Sequence, residues 1–410
     1  MKQTLRQQAQ RIISASISAV VPDEAVLRAL KGITFPGKVI LVAVGKAAWQ
    51  MAKTARDCLG SRISDGIVIT KYGHVKSPLE GIRCMEAGHP VPDENSFRGT
   101  EAALELVKNL TEQDTVMFLL SGGGSALFEK PLISAEELQS ITSQLLRSGA
   151  DIVEINTVRK RLSGVKGGRF AQACFPARVY GIVLSDIIGD PLDMIASGPA
   201  APDSSTCAQA LEIAEKYGLI LSDDARQCLC RETPKVLSNV RCCVSGSVRE
   251  LCQAAAAAAQ ELGYEPRILT DRLDCQAKEA GRMLAALARE YAGKKLALIA
   301  GGETVVKVTG TGKGGRNQEL ALAAAEIIDG MENVCIFSVG SDGTDGPTDA
   351  AGGFVDGTTA GLLREAGLTV SGILEDNDAY HALKKTGGLI ITGPTGTNVN
   401  DVAVVLLDQP

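Results

Sequence analysis

Residues 310–319, with the sequence GTGKGGRNQE, combine a glycine-rich backbone with two cationic side chains. They lie between a strand-like run at 304–309 and a helix-like run that begins at residue 318. The glycines at positions 310, 312 and 315 have the G-x-G-x-x-G spacing of dinucleotide-binding loops. Lys313 and Arg316, however, stand where a bound phosphate would be neutralised. The residues alone are therefore compatible with a dehydrogenase and with a phosphate clamp for transfer chemistry.

Further glycine-rich turns follow apolar runs elsewhere in the chain. They are Gly45-Lys46 and the segments SGGGS at 121–125, SDIIGD at 185–190, GGE at 301–303 and GSDGTDG at 340–346. Ligands of open parallel sheets bind beyond the carboxyl ends of the strands. We therefore expect these turns to line one polar cleft.

The SGGGS segment leaves backbone N–H groups uncovered, which suits the binding of an anion. It has neither the Walker A pattern nor the spacing of a nucleophile elbow around Ser125. Lys46, at the start of a predicted helix, would add a point charge beside such a phosphate. A purely structural turn and a lysine that points to solvent are the alternatives.

Two aspartate-rich loops and one basic segment could complete such a site. The loops, SDIIGDPLD at 185–193 and SDGTDGPTD at 341–349, lack EF-hand spacing but have the carboxylates that hold Mg²⁺ beside substrate phosphates. The segment INTVRKRLSGVKGGRF at 155–170 would receive an anionic substrate. Ordinary Asp-Gly turns and a solvated basic helix face are the alternatives.

The elements that must position these residues alternate between strand and helix over a chain of 410 residues. The predicted strands are rich in Val, Ile and Leu without polar alternation, as in parallel sheets covered on both faces. We predict an α/β protein of two domains with mostly parallel, Rossmann-like sheets flanked by helices. A polar interval at 221–239 places the boundary between domains at 1–237 and 238–410.

Bulk composition limits the partners and the compartment. A net charge of −6 argues against a nucleic-acid surface, and three histidines argue against a histidine-built metal site. The eleven cysteines show no redox or zinc spacing, as expected for thiols in a reducing compartment. No apolar run approaches the ~18 residues of a membrane span, and the chain starts with a polar, Gln-rich segment. We expect a soluble, cytoplasmic protein that binds neither membrane nor nucleic acid, and an oligomer is compatible with the sequence.

Taken together, the motifs resemble the glycerate 2-kinase family with a C-terminal MOFRL domain. The matching strings run in order along nearly the whole chain. They are VGKAA at 44–48, GHPVPDENS at 88–96, SGGGSALFEKP at 121–131, INTVRKRLSGVKGGRFA at 155–171, LSDIIGDPLDMIASGPAAPD at 184–203, GGETVVKVTGTGKGGRNQE at 301–319, SVGSDGTDGPTDAAGG at 338–353 and TGPTGTNVNDV at 392–402.

The resemblance implies phosphorylation of D-glycerate at its 2-hydroxyl, with ATP as phosphoryl donor and Mg²⁺ as cofactor. It also implies two α/β domains with the active site in the cleft between them. The family's lysine, arginine and aspartate match Lys46, Arg316 and Asp342 here. Members have often been labelled hydroxypyruvate reductases.

On this basis we assign roles to individual residues. Lys46 and Arg316 neutralise the transferring phosphoryl group, and Asp342 is the base or a second magnesium contact. Asp186 and Asp190 hold Mg²⁺. Asn156 and Lys160 hold the glycerate carboxylate. The residues that contact nucleotide phosphates are Ser121, Gly122, Gly123, Gly124, Ser125, Glu303, Gly312, Lys313 and Gly315.

Two other functions remain as alternatives. The first is an NAD(P)H-dependent hydroxypyruvate reductase, which would have an acidic ribose-binding residue about 20 positions after the glycine loop. That distance from Gly315 leads to Cys335, inside an apolar run. The second is a non-catalytic binder of phosphorylated metabolites, in which the acidic loops are only structural.

Overall fold

The computed structural model describes residues 4–409, which form two compact units. Residues Ala25–Ser245 form the first, which we call the parallel-sheet unit. The described residues up to Glu24 and from Gly246 onward form the second, which we call the mixed-sheet unit.

The parallel-sheet unit is built on six strands in the order β3-β2-β1-β4-β5-β6. All neighbouring strands are parallel. Every residue of β1 and β4 is buried, which explains why their sequences VILVAV and TVMFLL show no polar alternation. The strands are β1 (Val39–Val44), β2 (Ile63–Lys71), β3 (Arg83–Ala87), β4 (Thr115–Leu120), β5 (Arg178–Val183) and β6 (Val240–Val244). The prediction of a parallel sheet is confirmed for this unit.

The mixed-sheet unit has six strands in the order β11-β10-β9-β12-β8-β7. Only β7 and β8 pair in parallel, and the other neighbours are antiparallel. The strands are β7 (Glu265–Leu273), β8 (Leu296–Gly302), β9 (Val334–Gly340), β10 (Gly352–Asp356), β11 (Leu389–Ile390) and β12 (Asp401–Leu407). The prediction of a mostly parallel sheet is wrong here, because β12 inserts between β8 and β9 and runs opposite to both. Its central position buries all of DVAVVLL, so its sequence lacks alternation as a parallel strand would.

Helices cover both sheets. In chain order they are α1 (Leu5–Ala19), α2 (Pro22–Leu30), α3 (Ala48–Leu59), α4 (Glu94–Leu106), α5 (Gly124–Leu127), α6 (Ala135–Arg147), α7 (Ile152–Arg161), α8 (Arg169–Ala173), α9 (Cys207–Lys216), α10 (Asp223–Leu229), α11 (Val248–Glu261), α12 (Ala277–Glu290), α13 (Arg316–Ala325), α14 (Thr359–Glu365), α15 (Val370–Glu375) and α16 (Ala379–Thr386), with short 3-10 helices at Gly60–Arg62 and Ile195–Ser197. Within the described chain, no helix is long and apolar enough to cross a membrane.

The compact units and the predicted domains 1–237 and 238–410 divide the chain differently at two places. β6 pairs with β5, so the parallel-sheet unit continues to Ser245. At the other end of the chain, α1 packs its apolar face with α11 in one core on a face of the mixed sheet. The N-terminal helix therefore belongs with the C-terminal sheet.

Candidate active site

The turns after β1 and β4 form one structure at the point where the strand order reverses. After β1, the chain turns at Gly45, whose φ of 119° favours glycine. A Cβ there would lie 2.3 Å from the Ser121 hydroxyl oxygen, so the two turns are in direct contact. The Lys46 N–H donates to the carbonyl oxygen of Gly122 at 2.9 Å, and the Ala47 N–H donates to Ser121 Oγ at 3.0 Å. The Gly45-Lys46 and SGGGS turns, recognised separately in the sequence, are thus brought together.

A cation and a carboxylate flank the middle of the glycine turn. A Cβ on Gly122 would lie 2.6 Å from Asp186 Oδ2 and 3.7 Å from Lys46 Cε. Asp186 reaches this position from the segment that follows β5, the neighbour of β4. Lys46, Asp186 and the glycine turn therefore share one polar corner at the carboxyl ends of β1, β4 and β5, as the sequence predicts.

Two histidines also lie at this corner, and the sequence reasoning missed both. A Cβ on Gly123 would lie 3.0 Å from His89 Cδ2 and 3.3 Å from Lys46 Cγ. His74 Nδ1 lies 2.9 Å from the Lys46 carbonyl oxygen. Burial and the positive charge of Lys46 lower the pKa of His89. The GHP triplet directly after β3 could have indicated His89 as a residue at the end of a strand. The sequence of β3, RCMEA, is too polar to be recognised as a strand.

Asn156 lies close to the end of the SGGGS segment. Its Oδ1 accepts a hydrogen bond from Ser197 Oγ at 2.8 Å, and Ser197 Oγ lies 3.5 Å from Ser125 Oγ. Arg159, one turn along α7, donates to the Ser125 carbonyl oxygen at 3.3 Å. The predicted substrate ligand Asn156 is thus linked to the glycine turn, and Arg159 joins it as a cation that received no role from the sequence.

Lys160, the other predicted substrate ligand, is only 1% exposed. Its ammonium group lies 2.9 Å from Asp203 Oδ1 and 3.3 Å from Asp193 Oδ2. Asp203 in turn accepts from the Thr233 hydroxyl at 2.6 Å. These contacts favour a structural role, and the assignment of Lys160 to the substrate stays a prediction.

The loop after β5 has the chemistry expected of a magnesium site. Asp190 Oδ1 is buried and has no hydrogen-bond partner among residues 4–409, which is unusual for a carboxylate oxygen. Within residues 4–409, no group of three or more His, Cys, Asp or Glu side chains could hold a metal alone. Mg²⁺ in phosphoryl-transfer sites usually takes one or two carboxylates together with substrate phosphates and water. Asp186 and Asp190 fit a site of this kind.

In the mixed-sheet unit, Arg316 begins α13 and holds two carboxylates. Its Nε and Nη2 donate to the two oxygens of Asp401 at 2.5 and 3.1 Å, and its Nη1 donates to Glu303 Oε1 at 2.8 Å. Glu303 follows β8, and Asp401 begins the neighbouring strand β12. Burial raises the pKa of the Asp401 carboxyl, and the Arg316 guanidinium opposes this rise. The structure brings Arg316 and Glu303 together as ion-pair partners. Asp401 is the third residue of this cluster, and the sequence reasoning missed it.

The aspartates of the GSDGTDG loop divide into two roles. Asp342 lies near Asp401, because a Cβ on Gly340 would lie 3.4 Å from an oxygen of each carboxylate. Asp345 instead accepts from the backbone N–H groups of Asn317 and Gln318, at 3.1 and 2.9 Å, and so caps α13. Burial raises the pKa of Asp345 to about 6. Asp342 therefore lies beside Asp401 of the Arg316 cluster, whereas Asp345 orders the helix that carries Arg316.

The glycines of GTGKGG serve close packing within the mixed-sheet unit. The Gly312 N–H donates to the Asp376 carbonyl oxygen at 2.8 Å, and the Lys313 N–H donates to Asp378 Oδ1 at 3.0 Å. A Cβ on Gly315 would lie 2.2 Å from the Asp345 carboxyl carbon. Two of the amides assigned to phosphates are thus already hydrogen-bonded inside the fold. The phosphate contacts assigned to Gly312, Lys313 and Gly315 stay a prediction.

Comparison with protein families places both parts of the chain. Residues 8–230 match a family described as DUF4147, a domain of unknown function, and residues 296–401 match the MOFRL family. A "D-glycerate 2-kinase" from Thermotoga maritima is 55% identical, with 99% of each chain covered. A "Glycerate 2-kinase" from Pyrococcus horikoshii is 43% identical, over 97% of this chain and 96% of the relative.

A third relative and a solved structure complete the comparison. A protein from Agrobacterium vitis, provisionally named a hydroxypyruvate reductase, is 38% identical over 98% of this chain and 94% of its own. The crystal structure of a glycerate kinase from Thermotoga maritima superimposes with a TM-score of 0.95 at 54% identity, covering 98% of this chain and 99% of that one. On this evidence, the chain belongs to the glycerate 2-kinase family, with a MOFRL domain in its C-terminal part.

Proposed function

We propose that this protein phosphorylates D-glycerate at the 2-hydroxyl, with ATP as the phosphoryl donor. The observation that carries the proposal is the convergence of Lys46, the glycine turn and Asp186 at the carboxyl ends of β1, β4 and β5. Similarity to proteins named glycerate 2-kinase over nearly the whole chain supports the substrate and the position.

The corner provides what phosphoryl transfer requires of a protein. The reaction needs positioned phosphates and neutralised charge, with little covalent chemistry by the protein itself. Lys46 supplies a point charge beside the backbone N–H groups of the segment Ser121, Gly122, Gly123, Gly124 and Ser125. By analogy with oxyanion donors, the loss of one such group costs ~2.7–4 kcal/mol of barrier, a rate factor of about a hundred to a thousand.

Asp186 and Asp190 would hold Mg²⁺. The supporting observation is the buried Oδ1 of Asp190, which has no hydrogen-bond partner in the described part of the chain. When bound, Mg²⁺ neutralises and orients the phosphates. Asn156 would orient the glycerate carboxylate from its place beside the glycine turn.

In the mixed-sheet unit, Arg316 is proposed to neutralise the transferring phosphoryl group. Its bonds to Asp401 and Glu303 fix the direction of the guanidinium before substrate binds. Asp342 would act as the base or as a second magnesium contact, and Lys313 and Glu303 would contact the nucleotide. Lys160 would contribute to glycerate binding only if it gave up its bond to Asp193.

One set of reactions separates the three candidate functions. Purified protein is mixed with D-glycerate, ATP and Mg²⁺, and the formation of ADP is followed, while NADH oxidation on hydroxypyruvate is followed in parallel. The proposal predicts ADP that depends on D-glycerate. NADH consumption without ADP would refute the kinase and favour the reductase, and neither activity would favour a non-catalytic binder.

We also propose that the protein acts in the cytoplasm. All eleven cysteines are free thiols, including the buried Cys174 and Cys335, which suits a reducing compartment. Fractionation of the source cells with an antibody against the protein tests this, and recovery outside the cytoplasmic fraction would contradict it.

A further inference from the structure

We propose that His89 is a catalytic residue of this site, the group that accepts the proton of the attacking substrate hydroxyl. This inference rests on the proposed kinase function and deepens it. It assigns the base role to His89 and leaves Asp342 as a magnesium contact.

The imidazole of His89 lies at the glycine turn. His89 follows β3 and is half-buried. A Cβ on Gly123 would lie 3.2 Å from His89 Nε2 and 3.3 Å from Lys46 Cγ. The imidazole and the lysine thus border the same glycine, on the turn proposed to hold the transferring phosphoryl group.

The turn that carries His89 is held in place by close packing and by hydrogen bonds. A Cβ on the preceding Gly88 would lie 2.6 Å from the Val91 carbonyl oxygen and 3.0 Å from Asp93 Cγ. Asp93 caps α4 through a hydrogen bond from the Ser96 N–H at 3.0 Å and also accepts from the Tyr72 hydroxyl at 2.7 Å. The imidazole is therefore attached to an ordered segment, as a proton acceptor must be.

The charges around the imidazole ring affect the pKa of His89. The charged and titratable groups around this turn include Lys46, Lys71 and His74, together with Asp93 beside Gly88 and Asp186 beside Gly122. Burial and the positive charges of Lys46, Lys71 and His74 all lower the pKa of His89. A lowered pKa favours the neutral imidazole, which has a lone pair on one ring nitrogen.

In the proposed step, proton transfer to His89 accompanies the attack of the glycerate hydroxyl on ATP. The O–H bond of the glycerate hydroxyl breaks and its proton passes to the neutral imidazole. The hydroxyl oxygen forms a bond to the γ-phosphorus of ATP, while the bond from that phosphorus to the bridging oxygen breaks and ADP leaves with the electron pair. The imidazolium then returns its proton to solvent.

The test is a pH profile of kcat/KM for the wild type and for His89→Asn, with His89→Gln as a second variant. The wild type must first form ADP and phosphoglycerate, and failure there would refute the kinase function itself. We expect the wild-type rate to fall on the acid side with a pKa below 6.5. In the variants kcat should fall by about 10²–10⁴, and the acid limb assigned to the histidine should disappear.

The matched control is His381→Asn, because His381 lies on α16 with 60% of its side chain exposed. This control should keep the wild-type rate and profile. Retention of the acid limb and of kcat in a folded His89→Asn or His89→Gln protein would overturn the proposal.

A second measurement does not depend on whether the His89 variants fold. The chain has three histidines, so their imidazole signals can be separated by NMR titration of the wild-type protein. The His89 signal should titrate below pH 6.5, and its pKa should rise in Lys46→Ala because a neighbouring positive charge is lost. A His89 pKa above 6.5 in the wild type, or one unchanged by Lys46→Ala, would contradict the proposal.

Discussion

At the scale of single residues, the position of Lys46 is fixed by hydrogen bonds of its own backbone as well as by its charge. Its N–H is bonded to Gly122 and its carbonyl oxygen to His74, so the lysine cannot leave the glycine turn without breaking both contacts. The side chain is then held near Asp186 and the glycine turn, where a phosphate would otherwise lack a cation.

Replacement of Lys46 by alanine should lower kcat by about a hundred- to a thousandfold, because one charged group that stabilises the transition state is lost. The circular dichroism spectrum and the melting temperature should stay close to those of the wild type. The matched control is Lys53→Ala on the exposed face of α3, which should keep normal turnover. Near-normal activity of Lys46→Ala would refute its assigned role.

Arg316 combines a proposed catalytic role with a structural one, and two variants separate them. Arg316→Ala leaves the buried carboxylate of Asp401 without its partner. It should therefore lower the free energy of unfolding by on the order of 2 kcal/mol, as well as the rate. Arg316→Lys keeps a charge but loses the two-pronged contact, so stability should largely recover while kcat stays at least tenfold low.

Chemical denaturation and steady-state kinetics of both variants test this separation. Equal losses of rate and stability in Arg316→Ala and Arg316→Lys would contradict it. Full activity of the lysine variant would show that any cation suffices at this position.

Residue identity could be predicted from the sequence where a chemically distinctive group directly follows an apolar run. Lys46, Gly122 and Asp186 satisfy that condition, and all three meet in the structure. His89 and Asp401 could not be found in this way, because their significance depends on partners distant in the chain. For Lys160 the sequence showed the basic segment at 155–170 but not the buried ion pair with Asp203, so its assignment to the substrate stays a prediction.

At the scale of elements, the glycine turn works because it has no side chains where two other segments approach. A Cβ on Gly122 would press against the Asp186 carboxylate at 2.6 Å. Gly122→Ala should therefore displace Asp186 and reduce kcat at least tenfold, with a small change in melting temperature. The affinity for Mg²⁺, measured from the dependence of the rate on Mg²⁺, should weaken.

The control for this variant is Gly361→Ala on α14, where the nearest side-chain atom to the new Cβ would be 3.7 Å away. Alanine is favoured over glycine within a helix by roughly 1 kcal/mol. This variant should be fully active and as stable as the wild type or more so. An unchanged Mg²⁺ dependence in Gly122→Ala would contradict the link between the turn and Asp186.

The positions of the buried central strands could be predicted, but their direction could not. β1, β4 and β12 lack polar alternation because each is central in its sheet and buried on both faces. Burial on both faces removes the alternation that would mark an antiparallel strand, so the pattern of β12 is the same as that of a parallel one. Its direction is set by the chain returning between β8 and β9, a long-range feature that local periodicity does not encode.

At the scale of the whole molecule, the two ends of the described chain, residues 4–409, lie in the same unit. α1 buries Ile12 and Ile13 in a core shared with Leu251 of α11 and the mixed sheet, although more than two hundred residues of the parallel-sheet unit lie between these helices. A domain assignment from composition and local pattern groups a helix with the residues next to it in sequence. The predicted boundary therefore placed α1 in the N-terminal domain.

Ile12→Ala should consequently destabilise the mixed-sheet unit, by about 2–5 kcal/mol for a fully buried isoleucine. Ile220→Ala, at a position that is 81% exposed, should change stability by less than about 0.5 kcal/mol. Hydrogen exchange read out by peptide will show which unit responds. Faster exchange in the parallel sheet, with the mixed sheet unchanged, would contradict this placement of α1.

The most direct test of the proposed function is the ³¹P NMR spectrum of the products formed from D-glycerate and ATP. We predict ADP together with a phosphate monoester whose signal is a doublet, since the carbon that bears the 2-hydroxyl carries one hydrogen. A triplet would place the phosphate on the 3-hydroxyl and refute the position of transfer. The absence of any new monoester signal would refute the kinase function.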